Sequence, residues 1–173
     1  MLFLSASSIL IASFSLIILI HLFFILFFFS RFVFYKEIEK PNPQFDGISI
    51  IICVKNGEKY LDPLLQNSCN QLVSKPFEVI VIDDASTDGT IHTIKRFKKQ
   101  YPNTLRYKSL TKEEKKMAGK KYPLSQGIKM AKYEIVLLTD ADCQPSTYHW
   151  ASEMTNKINN TTSIVLGLSL IHI

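Results

Sequence analysis

Residues 134–145 read EIVLLTDADCQP, and the fold class turns on how that stretch is taken. Glu134 to Thr139 is a short apolar run of the length and composition of a strand buried on both faces. It ends at once in Asp140-Ala141-Asp142. Two earlier stretches share this form. Ile48 to Val54 (ISIIICV) leads into Lys55-Asn56-Gly57, and Phe77 to Ile82 (FEVIVI) leads into Asp83-Asp84. Between them, helices are predicted from Glu58 to about Leu72, from the Ser86–Asp88 caps to about Gln100, and through Met130 after a polar Lys/Glu-rich loop. Thr104 to Ser109 reads as a further short strand. Pro145 opens a helix to about Lys157, and Ser163 to Leu168 reads as a last strand. This β-α-β-α alternation predicts an α/β domain built on a doubly wound, mostly parallel, right-handed sheet.

In such sheets ligands bind outside the carboxyl ends of the strands. Three strands here end in polar groups, two of them acidic. Carboxylates converging on one sheet edge repel one another unless a cation or hydrogen-bond donor offsets them. Mg²⁺ or Mn²⁺ suits that task, because it needs one or two carboxylates and takes its other ligands from water and phosphate. On extended chain, Asp140 and Asp142 point the same way. A lone Asp-x-Asp is a weak signal, since Asp also caps turns after strands. Asp88, followed by Gly-Thr, fits a helix cap better than a ligand. An acidic pair after a strand also occurs in phosphoryl-accepting receiver domains, but there it follows the first strand, and Asp140-Ala141-Asp142 would have no role.

The 173 residues suffice for about one α/β domain, and their 47 % apolar content is concentrated at the N-terminus. Ile9 to Phe29 carries no formal charge, and about 20 apolar residues span a bilayer core. No Lys or Arg precedes the run, it exceeds a signal-peptide h-region, and no A-x-A site follows, so a retained transmembrane helix is expected. Arg31, Lys36 and Lys40 flank its C-terminal side, which places the following domain in the cytoplasm, on a cell inner membrane. Phe32, Phe34 and Tyr35 suit the headgroup level. His21, within the span, is given no role. Residues 1–36 are read as this anchor with its juxtamembrane segment, 37–47 as a linker stiffened by Pro41-Asn42-Pro43, and 48–173 as the α/β domain. The net charge of +5 fits a solvated Lys-rich surface near a membrane. No interleaving of aromatic and basic residues suggests RNA, and no nucleic-acid partner is expected. Cys53, Cys69 and Cys143 are scattered, without CxxC spacing, so neither a disulfide framework nor a zinc site is indicated.

With these residues in place, the chain resembles the family 2 glycosyltransferases of GT-A (nucleotide-diphospho-sugar transferase) fold. The stretches that carry the resemblance are ISIIICVKNGEKYL (48–61), FEVIVIDDASTDGT (77–90), GKKYPLSQGI (119–128) and EIVLLTDADCQP (134–145). The resemblance implies an inverting transfer from a nucleotide-diphospho-sugar donor to a glycan or lipid-linked acceptor, with Mg²⁺ or Mn²⁺ as cofactor. By position, Cys53 and Lys55 border the nucleotide. Asp84 accepts from the base with Asp83 in support, Asp140 lies near the ribose or metal, and Asp142 is the main metal ligand. Lys120 matches a basic position near the diphosphate, or else belongs to the solvated Lys-rich surface. Cys53 stands where many members have Pro or Thr, and Pro123-Leu124-Ser125 where many have Ala-Leu-Asn. The general base of such enzymes is an Asp or Glu well past the Asp-x-Asp. Glu153, the one acid after Asp142, follows too closely, so the base is expected beyond residue 173 and the chain is read as a C-terminally truncated, donor-binding part. The alternative is a non-catalytic, membrane-anchored nucleotide-binding or interaction remnant.

Overall fold

The computed structural model describes residues 6–33, 45–114, 119–158 and 164–167. The chain divides into two compact units, Met1–Glu39 and Lys40–Ile173. The first contains helix α1 (Ala6–Val33), apolar on all sides. Its Ser7–Ser30 segment is long and apolar enough to cross a membrane, at about 1.5 Å of rise per residue against a core of about 30 Å. Ser13 and Ser30 donate their hydroxyls to the carbonyls of Leu10 and Phe27, at 2.9 and 3.0 Å. These bonds satisfy the two serine hydroxyls within the helix itself. Lys36, Lys40, Phe34, Tyr35 and the Pro41–Pro43 linker lie outside the described residues.

The second unit runs β1 (Ile48–Val54), α2 (Glu58–Cys69), β2 (Phe77–Asp83), α3 (Thr90–Gln100), β3 (Leu105–Ser109), α4 (Lys121–Met130), β4 (Ile135–Asp140) and α5 (Trp150–Thr155). Its four strands are all parallel, in the order β3-β2-β1-β4. The central strand explains the unbroken apolar run in the sequence. Ile48, Ile50, Ile52 and Val54 pack on one face with Leu61, Leu64 and Leu65 of α2 and Ile94 and Phe97 of α3. Ile51, with Ile80 and Ile82 of β2, packs on the other face with Tyr122 and Leu124 of α4. Strands β1 to β3 progress in one direction, and β4 then returns to the opposite side of β1. With crossovers of one hand, that reversal carries α4 to the opposite face. Gly127 lets α4 lie close to the sheet: a Cβ there would come 2.5 Å from Ile51 Cγ2.

Two helix boundaries and one strand differ from what the sequence predicts. Helix α2 stops at Cys69 instead of Leu72. Helix α5 starts at Trp150 and not at Pro145, because the carbonyls that would begin it are taken by α2 and the chain after it. Asn67 Nδ2 donates to Pro145 O (3.0 Å), Gln71 Nε2 to Thr147 O (3.1 Å), and Leu72 N to Tyr148 O (2.6 Å). The strand expected over 163–168 is also not formed across residues 164–167. Ile164 and Leu166 are exposed there, and Gly167 lies against Met154 of α5 in place of a strand partner.

Candidate functional site

The reversal of strand order falls between β1 and β4, which makes their carboxyl ends the topological switch point, where open α/β sheets bind ligands. Parallel register fixes what stands there. Cys53 pairs with Asp140 of β4, and Val54 pairs with Asp83 of β2. Asp84 continues the ladder, its N–H donating to Val54 O at 2.8 Å. The end of β1 is thus flanked by acids on both sides. Asp83 and Asp84 are buried, whereas Lys55, Asp140 and Asp142 are exposed. The Asp83 carboxylate is committed to its own turn, where Oδ1 accepts the Ser86 N–H at 3.1 Å.

The loops after β1 and β2 are joined by side chains whose mutual contacts the sequence does not show. Ser86 Oγ accepts from Asn56 N and Thr90 Oγ1 from Gly57 N, both at 2.9 Å. Asn56 Oδ1 accepts from Thr87 N at 2.8 Å. Asp88 Oδ2 accepts from Glu58 N at 3.2 Å, and Glu58 Oε2 accepts from Gly89 N at 2.9 Å. Asn56 and Ala85 both take positive φ, 51° and 54°. This left-handed backbone is unusual for a residue with a side chain, Ala above all. Two turn dipeptides, Asn56-Gly57 and Asp88-Gly89, were the available signal, but nothing in their spacing shows that they face each other. Asp88 is a structural acceptor for the N–H groups of Glu58 and Thr90, but the N-cap of α3 is Gly89, one residue past the expected Ser86–Asp88 caps.

On the α4 face, a cavity of about 680 Å³ opens beside β4, lined among others by Cys53, Lys120, Leu138, Asp140, Cys143 and Trp150. Lys120 Nζ donates to Asp140 Oδ1 at 2.9 Å. That bond, first among the causes, holds the Lys120 ammonium above its ordinary pKa. Burial foremost, then the negative charges of Asp140 and Asp84, push the Cys53 thiol up to about 11 against the opposing pull of Lys120. The thiol at the switch point is therefore neutral near pH 7. Cys143 is pushed upward too, by burial and then by Asp142. Its thiol lies 3.6 Å from Asp142 Oδ1. All three cysteines are free.

The structure corrects the extended-chain geometry expected of Asp140-Ala141-Asp142. Strand β4 ends at Asp140, the partner of Cys53 and the last paired residue on that side of β1. The chain then turns, with Cys143 N donating to Asp140 O at 3.1 Å. Asp142 thus stands on a turn, and strand alternation does not set its direction. Of the residues singled out from sequence, Cys53, Lys120 and Asp140 line one cavity. Asp83 and Asp84 lie across β1 on the β2 side, Lys55 follows the end of β1, and Asp142 lies on the turn after β4.

Among the described residues, no three His, Cys, Asp or Glu side chains are grouped to hold a metal by themselves. Two exposed carboxylates two residues apart still suit a hard divalent cation, which completes its oxygen shell with water and phosphate. The donor set therefore fits Mg²⁺ or Mn²⁺ shared with a phosphorylated ligand, and does not fit a closed structural metal site.

Comparison with known proteins finds similar chains among glycosyltransferases. A beta-monoglucosyldiacylglycerol synthase of Nostoc sp. is 34 % identical over 110 residues, covering 63 % of this chain and 22 % of its own. The structure of the mannosyltransferase PcManGT from Pyrobaculum calidifontis, in complex with GDP-Man and Mn²⁺, matches with a TM-score of 0.57 and 26 % identity over 69 % of this chain and 34 % of that one. The structure of S. aureus TarS 1–349 in complex with UDP matches with a TM-score of 0.52 and 29 % identity, over 62 % of this chain and 30 % of that one. This chain thus spans between a fifth and about a third of the lengths of these relatives. Its parallel sheet with helices on both faces is of the GT-A kind. The model of "Glycosyl transferase family 2" matches residues 49–172, and the chain belongs to that family.

Proposed function

We propose that this chain supplies the donor- and metal-binding part of a membrane-anchored, inverting glycosyltransferase. The enzyme moves a sugar from a nucleotide-diphospho-sugar to a cell-envelope or lipid-linked acceptor. The observation that carries this reading is the register at the switch point, which sets Asp140 beside Cys53 and Asp83 beside Val54. In this reading Asp84 accepts from the base, and Asp83, fixed by Ser86, supports it. Cys53 and Lys55 border the nucleotide, Cys53 through its backbone. Asp140 and Asp142 hold Mg²⁺ or Mn²⁺, and Lys120 offsets phosphate charge. When bound, the metal acts as a Lewis acid toward the leaving diphosphate. The base that takes the acceptor proton is assigned to none of the residues described above. The Mn²⁺ bound to PcManGT and the UDP bound to TarS support the ligand classes, and the glycolipid-synthase relative supports a lipid acceptor. Helix α1 is the proposed anchor, and Arg31, Lys36 and Lys40 favour a cytoplasmic domain.

Titration calorimetry of the chain in detergent with UDP and with GDP, each with Mn²⁺ and with EDTA, tests this reading. Binding that requires Mn²⁺ is expected. Equal binding in EDTA would remove the metal role, and no binding of either nucleotide would remove the donor site.

A further inference from the structure

Lys120 stands at the N-cap of α4 and Lys121 begins the helix, with no acidic residue in its first turn. Cations at a helix N-terminus lie against the dipole, so this end of α4 favours an anion. The anion it meets is Asp140, 2.9 Å from Lys120 Nζ. The lysine and aspartate side chains are 70 % and 54 % exposed. An ion pair this exposed is weak and easily exchanged. The Lys120 carbonyl accepts from Leu124 N at 3.0 Å, which ties its backbone to the first turn of α4. The exchange then falls to the flexible lysine side chain alone.

We infer that Lys120 is a built-in stand-in for the cation: it holds Asp140 in the donor-free protein and passes to the diphosphate when a metal takes the carboxylate. This rests on the donor-site reading above. Its consequence is a coupling between two ligands. Metal alone must displace Lys120 from Asp140 and leave an ammonium and a helix N-terminus without an anion. Metal arriving with a diphosphate supplies that anion. Each ligand therefore strengthens the other by the same factor. Lys120 is a positioning residue here, acting on the metal through Asp140.

The test is Mn²⁺ binding to the full chain in detergent micelles, followed by the electron paramagnetic resonance signal of free Mn²⁺, without and with UDP. In Lys120→Met, Mn²⁺ alone is expected to bind tighter by up to about fivefold, as loss of an exposed competing ion pair implies. UDP at saturating Mn²⁺ is expected to bind about tenfold more weakly, through loss of a charge-assisted bond to phosphate. Lys120→Arg should keep both values near wild type. A purely structural role for Lys120 would weaken both together, so opposite signs are the diagnostic result. Unchanged or weaker Mn²⁺-only binding in Lys120→Met, beside Mn²⁺-dependent UDP binding by wild type, overturns the inference and leaves the donor site standing. Absence of Mn²⁺-dependent UDP binding in wild type overturns both.

Discussion

Glu58 and Asp88 exchange caps. The Asp88 carboxylate receives the N–H of Glu58, the first residue of α2, while the Glu58 carboxylate receives the N–H of Gly89, the N-cap of α3. Glu58 sits in the first turn of α2, and Asp88 just before the N-cap of α3, so both carboxylates lie near helix N-termini, where negative charge is favoured. Together they fasten the two loops that carry Lys55 and Asp84. Desolvation raises the Asp88 carboxyl, but the bonds from Thr90 and Glu58 outweigh it and leave it below its ordinary pKa. Asp88→Ala is expected to cost about 1 kcal/mol of stability, the usual loss for a cap. Urea titration followed by circular dichroism measures it. A loss below a few tenths would show that the exchange contributes little.

A second polar cluster lies at the far end of the sheet. Glu78 of β2 is 5 % exposed. It accepts from Ser49 Oγ (2.9 Å), Arg106 Nη1 (2.9 Å) and Lys132 N (2.6 Å), while Tyr133 N donates to Ser49 Oγ at 3.2 Å. The cluster therefore joins β1, β2 and β3 to the loop entering β4. Removing the carboxylate strands the buried Ser49 hydroxyl and the part-buried donors of Arg106 and Lys132, and Glu78→Ala is expected to cost about 2–3 kcal/mol.

The same residue sets an acid limit on stability. Burial raises the Glu78 carboxyl, and the bonds from Lys132, Arg106 and Ser49 overcome that and lower it. A carboxyl lowered on folding contributes stability that is full above its unfolded pKa, about 4.3, and is lost as pH falls through the lower folded value. Urea midpoints measured from pH 6 down to pH 3 should fall more steeply for wild type than for Glu78→Gln. Parallel curves would assign the acid loss to other carboxylates.

Strand identity was legible in the sequence because β1 and β2 are covered on both faces, so their apolar runs are unbroken; β4 has the same apolar run but is an edge strand with Leu138 half exposed, which corrects the expectation that it is buried on both faces. The positions of Asp83-Asp84 and Asp140 followed, since each acid ends such a run. What the sequence hid was decided by partners distant along the chain. Asn67 and Gln71 delay α5 by capturing carbonyls 76 to 78 residues away. The turn at Asp142 follows from where β1 stops pairing with β4. The Lys120–Asp140 pair needs the α4 crossover to return across β1, and a Lys-rich segment alone does not show which lysine faces the site.

Gly127 marks where α4 meets the sheet, and its replacement should be felt at the site. A Cβ placed 2.5 Å from Ile51 Cγ2 forces α4 or Ile51 to move, and overpacking of this kind costs about 1–3 kcal/mol. Helix propensity would by itself favour Ala over Gly by about 1 kcal/mol. Gly127→Ala therefore separates the two effects by sign. A net loss of stability in urea denaturation is expected, and a net gain would show that the contact yields without strain.

The metal role divides the aspartates by kind. Asp142 is exposed on its turn, and its proposed work is to hold a cation. Asp88 is bound up in backbone N–H groups. Asp142→Asn removes charge from the proposed metal site and is expected to weaken Mn²⁺-dependent UDP binding by about tenfold or more, the scale of one lost charge-assisted ligand. Asp88→Asn keeps an acceptor oxygen for the helix starts and should leave that binding within about twofold, a shift of a few tenths of a kcal/mol. Calorimetry of UDP at saturating Mn²⁺ compares them. Equal losses would contradict the division, because they would make Asp88 part of the binding surface or Asp142 part of the scaffold. A loss confined to Asp88→Asn would move the metal away from the turn after β4 altogether.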